Sequence, residues 1–220
     1  MRRLLGIKKV GHAGTLDPFA SGLLIVCAGR AATREISRFV DGEKEYLAGL
    51  CLGVQTETLD PEGAVVERHE VGSISAARIE QCLDRFRGRQ LQIPPAFSAV
   101  KHQGKPLYYY ARKGVKITKE AREISIARLE RCDGDGDVVG NEAALDLRVV
   151  CSKGTYIRTL AADIGDDLGC GAYLRTLRRT RIGPCSIETA VDGHLLTGEN
   201  GREHLLGAML SVDELGKLLQ

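Results

Sequence analysis

An aspartate in a glycine-rich loop is the residue of this sequence best suited to covalent or proton-transfer chemistry. Residues 8–34 read KKVGHAGTLDPFASGLLIVCAGRAATR, with Asp17 and Pro18 inside a run of glycines and small polar residues. A carboxylate can attack an electrophilic carbon or take up a proton, provided its backbone is held still. Pro18 and the surrounding glycines would hold it so. Taken alone, Asp17-Pro18 is also an ordinary turn, because Asp begins turns and Pro rigidifies them. The case for chemistry therefore depends on what accompanies the pair.

Other chemistries find little support. The seven cysteines (Cys27, Cys51, Cys82, Cys132, Cys151, Cys170 and Cys185) include no CxxC pair, and the five histidines show no HxxxH spacing. No zinc site or redox motif is expected, and the cysteines read as reduced core residues. Residues 133–137, Asp-Gly-Asp-Gly-Asp, invite a calcium reading. The EF-hand spacing and its closing Glu are missing, so the stretch reads as a hairpin loop. No metal and no cofactor are expected.

The net charge of +2 says less than its distribution. Nine basic residues (Arg85, Arg87, Arg89, Lys101, Lys105, Arg112, Lys113, Lys116 and Lys119) fall in a stretch without Asp or Glu. Arg175, Arg178, Arg179 and Arg181 form a second cluster. From Glu57 to Asp84 seven acids face two bases. Two basic clusters, one interleaved with Tyr108, Tyr109 and Tyr110, favour a polyanionic partner such as nucleic acid. No segment is apolar over the length of a membrane span, and MRRLLGIKKV lacks the apolar run of a signal peptide. A cytoplasmic protein is expected.

The elements that would position these residues follow from periodicity. Residues 11–22 read as a loop and 23–28, LLIVCA, as a buried strand. Residues 45–52, 124–131 and 143–151 also read as strands. A helix is expected over 75–87, capped by Ser75 and stopped by Gly88. A second covers 156–168, with Ile157, Leu160, Ala161, Ile164 and Leu168 on one face and Gly169 at its end. Residues 93–118, opening with Pro94-Pro95, read as a long excursion from the core. A short helix is expected near 203–219. Strands and helices do not alternate as βαβ units, which favours an α+β fold with a mainly antiparallel sheet.

The Asp17 loop resembles the signature motif of the TruB family of tRNA pseudouridine(55) synthases, through His12, Gly14, Leu16, Asp17, Pro18, Ser21, Gly22 and Leu23. Three further blocks are similar to the family in order. KEYLAGLCLGVQTETLDPEG (44–63) resembles its second motif, and IPPAFSAVKHQGKPLYYYARKG (93–114) its RNA-contacting insertion, the thumb. CSKGTYIRTLAADIGDDLGCGAYLRTLRRTRIG (151–183) resembles the third motif and the helix after it. The resemblance implies a pseudouridine synthase fold: a mainly antiparallel mixed sheet flanked by helices, with a basic thumb. Residues 1–191 would form the catalytic domain and 192–220 its tail.

The same resemblance implies the roles. Asp17 matches the catalytic aspartate and Arg158 the arginine that pairs with it. Tyr46 matches the tyrosine that stacks on the flipped base and can act in proton removal. Tyr156 matches a second pocket tyrosine, Leu177 an apolar lining residue and His12 a histidine that helps extrude the base. Lys101, Lys105, Arg112 and Lys113 of the thumb would contact RNA phosphates, and the Arg175–Arg181 cluster would add to that surface. The implied partner is the T-loop of tRNA, with no membrane and no obligate protein partner. Family members carry a further strand and a Lys-Pro-x-Gly turn before this start, and often a PUA module after this end, so the chain is expected to lack both. That leaves a second reading, an RNA-binding or RNA-folding protein of the same fold without turnover. A third is a synthase acting on another RNA, as the guide-RNA-dependent branch does.

Overall fold

The computed structural model describes residues 1–115 and 117–218. The chain forms two compact units, one of Met1–Glu45 with Arg178–Gln220, the other of Tyr46–Leu177.

The larger unit is built on strands whose inward positions are branched and apolar. Lys44–Leu52, Ala144–Cys151, Arg122–Arg131 and Gly88–Gln92 lie in that order, with Ala172–Ile182 on the far side of Lys44–Leu52. Arg122–Arg131 is antiparallel to both its neighbours. In Ala144–Cys151 the alternate residues Leu145, Leu147 and Val149 are fully buried, as period two demands of a strand with one core face. At Gly49 a side chain would meet the side chains of Thr176 and Asp146 and force them to move, so glycine lets the strands approach here.

Two helices pack together in this unit. Ala76–Phe86 starts at Ser75, whose hydroxyl accepts from Arg78 N–H, and it buries Ile79, Cys82 and Leu83. Its end comes one residue earlier than expected: Arg87 is already extended, and Gly88, at φ 88°, opens the next strand. Ile157–Leu168 buries Ile157, Leu160, Ala161 and Ile164 and stops at left-handed Gly169. Asp167 receives both Arg78 (2.9 Å) and Arg85 (2.6 Å) from the other helix. Gly165 faces the main chain of Gly171 and Ala172 so closely that a β-carbon would overlap it.

The expected excursion is a small hairpin. Lys101–His102 pairs with Lys105–Pro106 across Gln103 and Gly104, both at positive φ, the geometry of a tight two-residue turn. The helix Leu107–Ala111 follows, anchored by buried Leu107. Lys116 lies outside the described residues.

In the smaller unit Val10–Ala13 and Ile25–Ala28 form an antiparallel hairpin. Ser21–Gly22 runs parallel to Arg178-Arg179, which makes the sheet mixed. Residues 11–22, expected as loop throughout, thus contain strand at both ends. Pairing partners remote in sequence supply what local composition does not show. Ala13, Leu23, Cys27, Phe39 and Ile182 form the core. The tail holds two short helices, Gly201–Gly207 and Val212–Leu218, where one was expected, and position 219 lies outside the described residues.

Because the groups against Gly165 are backbone, they cannot step aside. Gly165→Ala is expected to cost about 1–3 kcal/mol by overpacking. Thermal unfolding followed by circular dichroism should show the midpoint falling by about 2–4 °C per kcal/mol lost.

Candidate active site

Asp17 occurs where the chain leaves one strand of the small hairpin before entering the other. It is half-buried, and its carbonyl accepts from Ala20 N–H at 2.9 Å, closing a turn over Pro18-Phe19. His12 is exposed and belongs to the strand Val10–Ala13, opposite Val26. Both residues are in the smaller unit.

Tyr46, Tyr156, Arg158 and Leu177 belong to the larger unit. Tyr46 is half-buried on the strand Lys44–Leu52. Leu177 is buried on Ala172–Ile182. Tyr156 stands immediately before the helix Ile157–Leu168, with φ −97° and ψ 107°. Its main chain is held by buried Gln92, which accepts from Tyr156 N–H at 2.8 Å and donates to the Tyr156 carbonyl at 3.0 Å. A side-chain amide here replaces a backbone partner on both sides.

Arg158 is the second residue of that helix and only 4% exposed. Its Nη1 donates to Asp60 Oδ2 at 3.2 Å and to the Thr58 carbonyl at 2.9 Å, and its Nη2 donates to the Phe97 carbonyl at 2.8 Å. Asp60 is 3% exposed. It also accepts from the Thr58 hydroxyl and from Glu62 N–H. A buried ion pair persists only when its remaining lone pairs and protons are matched, and these are. Asp60 and Gln92 were not singled out from the sequence. Asp60 is in the stretch 44–63 that resembles the second motif, followed by Pro and, two residues on, Gly. Gln92 had no signal beyond preceding the thumb.

On the thumb hairpin Lys101, Lys105, Arg112 and Lys113 are all exposed. Lys105 and Lys113 both donate to the Tyr109 hydroxyl (3.2 and 2.9 Å) and lie over its ring at 4.4 and 4.5 Å. These hydrogen bonds, from Lys113 first and then Lys105, lower the Tyr109 phenol below its ordinary pKa. Arg112 lies 5.4 Å from the Tyr108 ring centroid. Of the second basic cluster, Arg175 and Arg178 are exposed and Arg181 is half-buried near Glu45 (4.0 Å). Arg179 departs from expectation: at 2% exposure it cannot add to an RNA-facing surface. A cavity of about 510 Å³ in the smaller unit is lined by Lys9, Arg30, Thr33 and Arg34 among others, and by none of the candidate residues.

A mixed sheet flanked by helices, with a glycine-rich aspartate loop in one unit and a buried Arg158–Asp60 pair and a basic tyrosine-rich hairpin in the other, is the architecture of the pseudouridine synthase class. Solved structures agree. The chain is similar to one in the crystal structure of a Cbf5-Nop10-Gar1 complex, with a TM-score of 0.68 and 29% identity over 99% of this chain and 56% of that one. Residues 2–157 match the family model described as TruB family pseudouridylate synthase (N terminal domain), and residues 158–215 that of the tRNA pseudouridylate synthase B C-terminal domain. The chain belongs to the TruB family of pseudouridylate synthases, and it is an isomerase. It is 59% identical to the protein named tRNA pseudouridine synthase B from Desulfotalea psychrophila, over all of this chain and 89% of that protein. It is 48% identical to the protein of the same name from Chromobacterium violaceum, over 85% of this chain and 58% of that protein. The chain thus spans most of one relative and under two thirds of the other.

Replacing Asp60 by Asn removes one charge of the buried Asp60–Arg158 ion pair. Asp60→Asn is expected to destabilise the protein by about 3–5 kcal/mol, read as a lower midpoint in urea unfolding with unchanged slope.

Proposed function

We propose that this chain isomerises uridine to pseudouridine at position 55 in the T-loop of tRNA, with Asp17 as the catalytic carboxylate and residues 1–191 as the catalytic domain. The observation that most supports this reading is the held guanidinium of Arg158. A guanidinium held in place inside the protein by Asp60 and two main-chain carbonyls is the kind of fixed positive charge that a reacting carboxylate uses.

The reaction breaks the bond between uracil N1 and the ribose C1′, turns the base, and joins C5 to C1′. C5 then loses a proton and N1 gains one. Atoms and electrons balance within one nucleotide. Asp17 acts as nucleophile, either bonding to ribose C1′ as the N1–C1′ bond breaks and leaving as C5 bonds to C1′, or adding to the base ring and being eliminated from it before product forms. Arg158 stabilises its charge. Tyr46 stacks on the flipped base and takes part in removing the C5 proton, while Tyr156 and Leu177 bound the pocket and exclude water. His12 helps to extrude the base and occupies its place. Lys101, Lys105, Arg112 and Lys113 bind phosphates, which orients the RNA without reading its sequence. No protein partner is required, and the reaction belongs to the cytoplasm. Among the described residues no helix is long and apolar enough to cross a membrane.

Incubation with unmodified tRNA followed by pseudouridine mapping tests the proposal. Wild type is expected to modify position 55. Asp17→Asn should bind tRNA with undiminished affinity and form no product. A wild type that leaves position 55 unmodified under single-turnover conditions sinks the reading. The thumb has its own test. Alanine at Lys101, Lys105, Arg112 and Lys113 together should flatten the log-affinity against log-salt slope by about 3, near 0.7–0.9 per phosphate contact. An unchanged slope would remove the thumb from the RNA interface.

A further inference from the structure

Arg179 sits in the second basic cluster, yet it is buried, and its donors are directed at the loop that carries Asp17. Its Nε donates to the Leu23 carbonyl at 2.8 Å and its Nη2 donates to the Gly14 carbonyl at 2.9 Å. Gly14 and Leu23 are the two ends of that loop. The main chain repeats the connection at one end, where Leu23 N–H donates to the Arg179 carbonyl at 2.8 Å and Ser21-Gly22 lies parallel to Arg178-Arg179. Glycine makes the approach possible at both ends. Gly14 has φ 77°, and a side chain there would press on Arg179 Nη1 at 3.2 Å. Gly22 has φ 106°, and a side chain there would collide with the main chain of Arg179.

Stability alone does not account for this arrangement. No carboxylate pairs with Arg179 among the described residues. A buried cation satisfied by carbonyls alone carries a desolvation penalty that an apolar side chain of similar volume would avoid. What an apolar side chain cannot do is hold two carbonyls at a fixed separation. The planar fork of a guanidinium can, and a lysine ammonium, a single point of charge, cannot do so in the same geometry. Within the loop the Asp17–Ala20 turn is closed locally, so tying Gly14 and Leu23 together fixes the frame in which that turn sits.

We propose that Arg179 is a positioning residue: it clamps both ends of the loop Gly14–Leu23 and thereby sets the place of the Asp17 carboxylate. This rests on Asp17 being the catalytic carboxylate. Misplacement of a reacting group by about 1 Å can cost on the order of a hundredfold in rate. A lost clamp is therefore expected to slow the chemical step without weakening RNA binding.

The test uses the full chain with Arg179→Lys, Arg179→Met and Arg179→Ala. Hydrogen exchange read by mass spectrometry should show lost protection in peptides covering 14–24, with the helix Ala76–Phe86 protected as in wild type. Single-turnover pseudouridine formation at saturating tRNA should fall by about ten- to a hundredfold, with tRNA affinity held within about twofold. Methylguanidinium should restore part of the rate to Arg179→Ala, and methylammonium should not. Should the Met or Ala variant fail to fold, the Lys variant decides. A folded Arg179→Lys with wild-type loop protection and rate overturns the proposal. So does a rate loss matched by equal losses in helix protection and tRNA affinity, the signature of a general structural role. If wild type forms no pseudouridine, or Asp17→Asn retains activity, the assignment of Asp17 fails instead. The exchange measurement then still decides the clamp.

Discussion

A guanidinium taken out of water must find acceptors for its donors, and this constraint organises both units of the chain. Arg158 gathers Thr58, Asp60 and Phe97, three positions from two segments remote from its own helix. Arg179 gathers Gly14 and Leu23. In each unit a buried cation draws to itself main-chain carbonyls that are not neighbours in sequence, two segments around Arg158 and the two ends of one loop around Arg179. Lys44 follows the same rule on a smaller scale, donating to the carbonyls of Val40 and Gly42 from an almost buried position.

Such tethers work only where the backbone can come close. Gly14 and Gly22 accommodate Arg179, Gly49 lets three strands meet around Thr176 and Asp146, and Gly165 brings the helix Ile157–Leu168 against Gly171-Ala172. That last contact seats the helix from whose first turn Arg158 projects. The apolar face of the helix supplies most of the burial, through Leu160, Ala161 and Ile164. The absent side chain at Gly165 decides how near it can approach.

The thumb hairpin is held differently. Its root is tied by Leu107 N–H to the Val100 carbonyl and by Tyr108 N–H to the Ser98 carbonyl. The helix Leu107–Ala111 that follows the hairpin presents one phenol, Tyr109, between Lys105 before it and Lys113 after it. Tyr109 keeps the two ammonium groups near each other against their repulsion, through hydrogen bonds to its oxygen and attraction to its ring face. A pair of cations already assembled loses less freedom when a phosphate binds than two independent side chains would. The root of the thumb also touches the start of the helix Ile157–Leu168 directly, since Phe97 supplies a carbonyl to Arg158 and Gln92 holds the main chain of Tyr156.

Much of the architecture was legible in the sequence because it is written in local pattern. The helices near 76–86 and 157–168 and the strands near 122–131 and 144–151 follow from periodicity and caps, and the thumb from its prolines and charge. Asp17, Tyr46, Tyr156 and Arg158 were marked by ordered motifs. What only the tertiary structure decided are partnerships across long sequence separations. The strand pairing of Ser21–Gly22, the Asp60–Arg158 pair and the Gln92–Tyr156 exchange join positions that no local rule connects. Arg179 shows the difference most clearly. In the sequence it is one of four arginines in a basic run, suited to solvent and phosphate. In the structure that residue alone of the four is buried, beneath a glycine-rich loop whose carbonyls accept its donors, while Arg181, two positions on along the same strand, is half-buried beyond the loop. Charge and spacing determine which residues are available for such work. Which of them is buried is set by what packs over the strand, here the loop Gly14–Leu23, and that is a property of the folded chain.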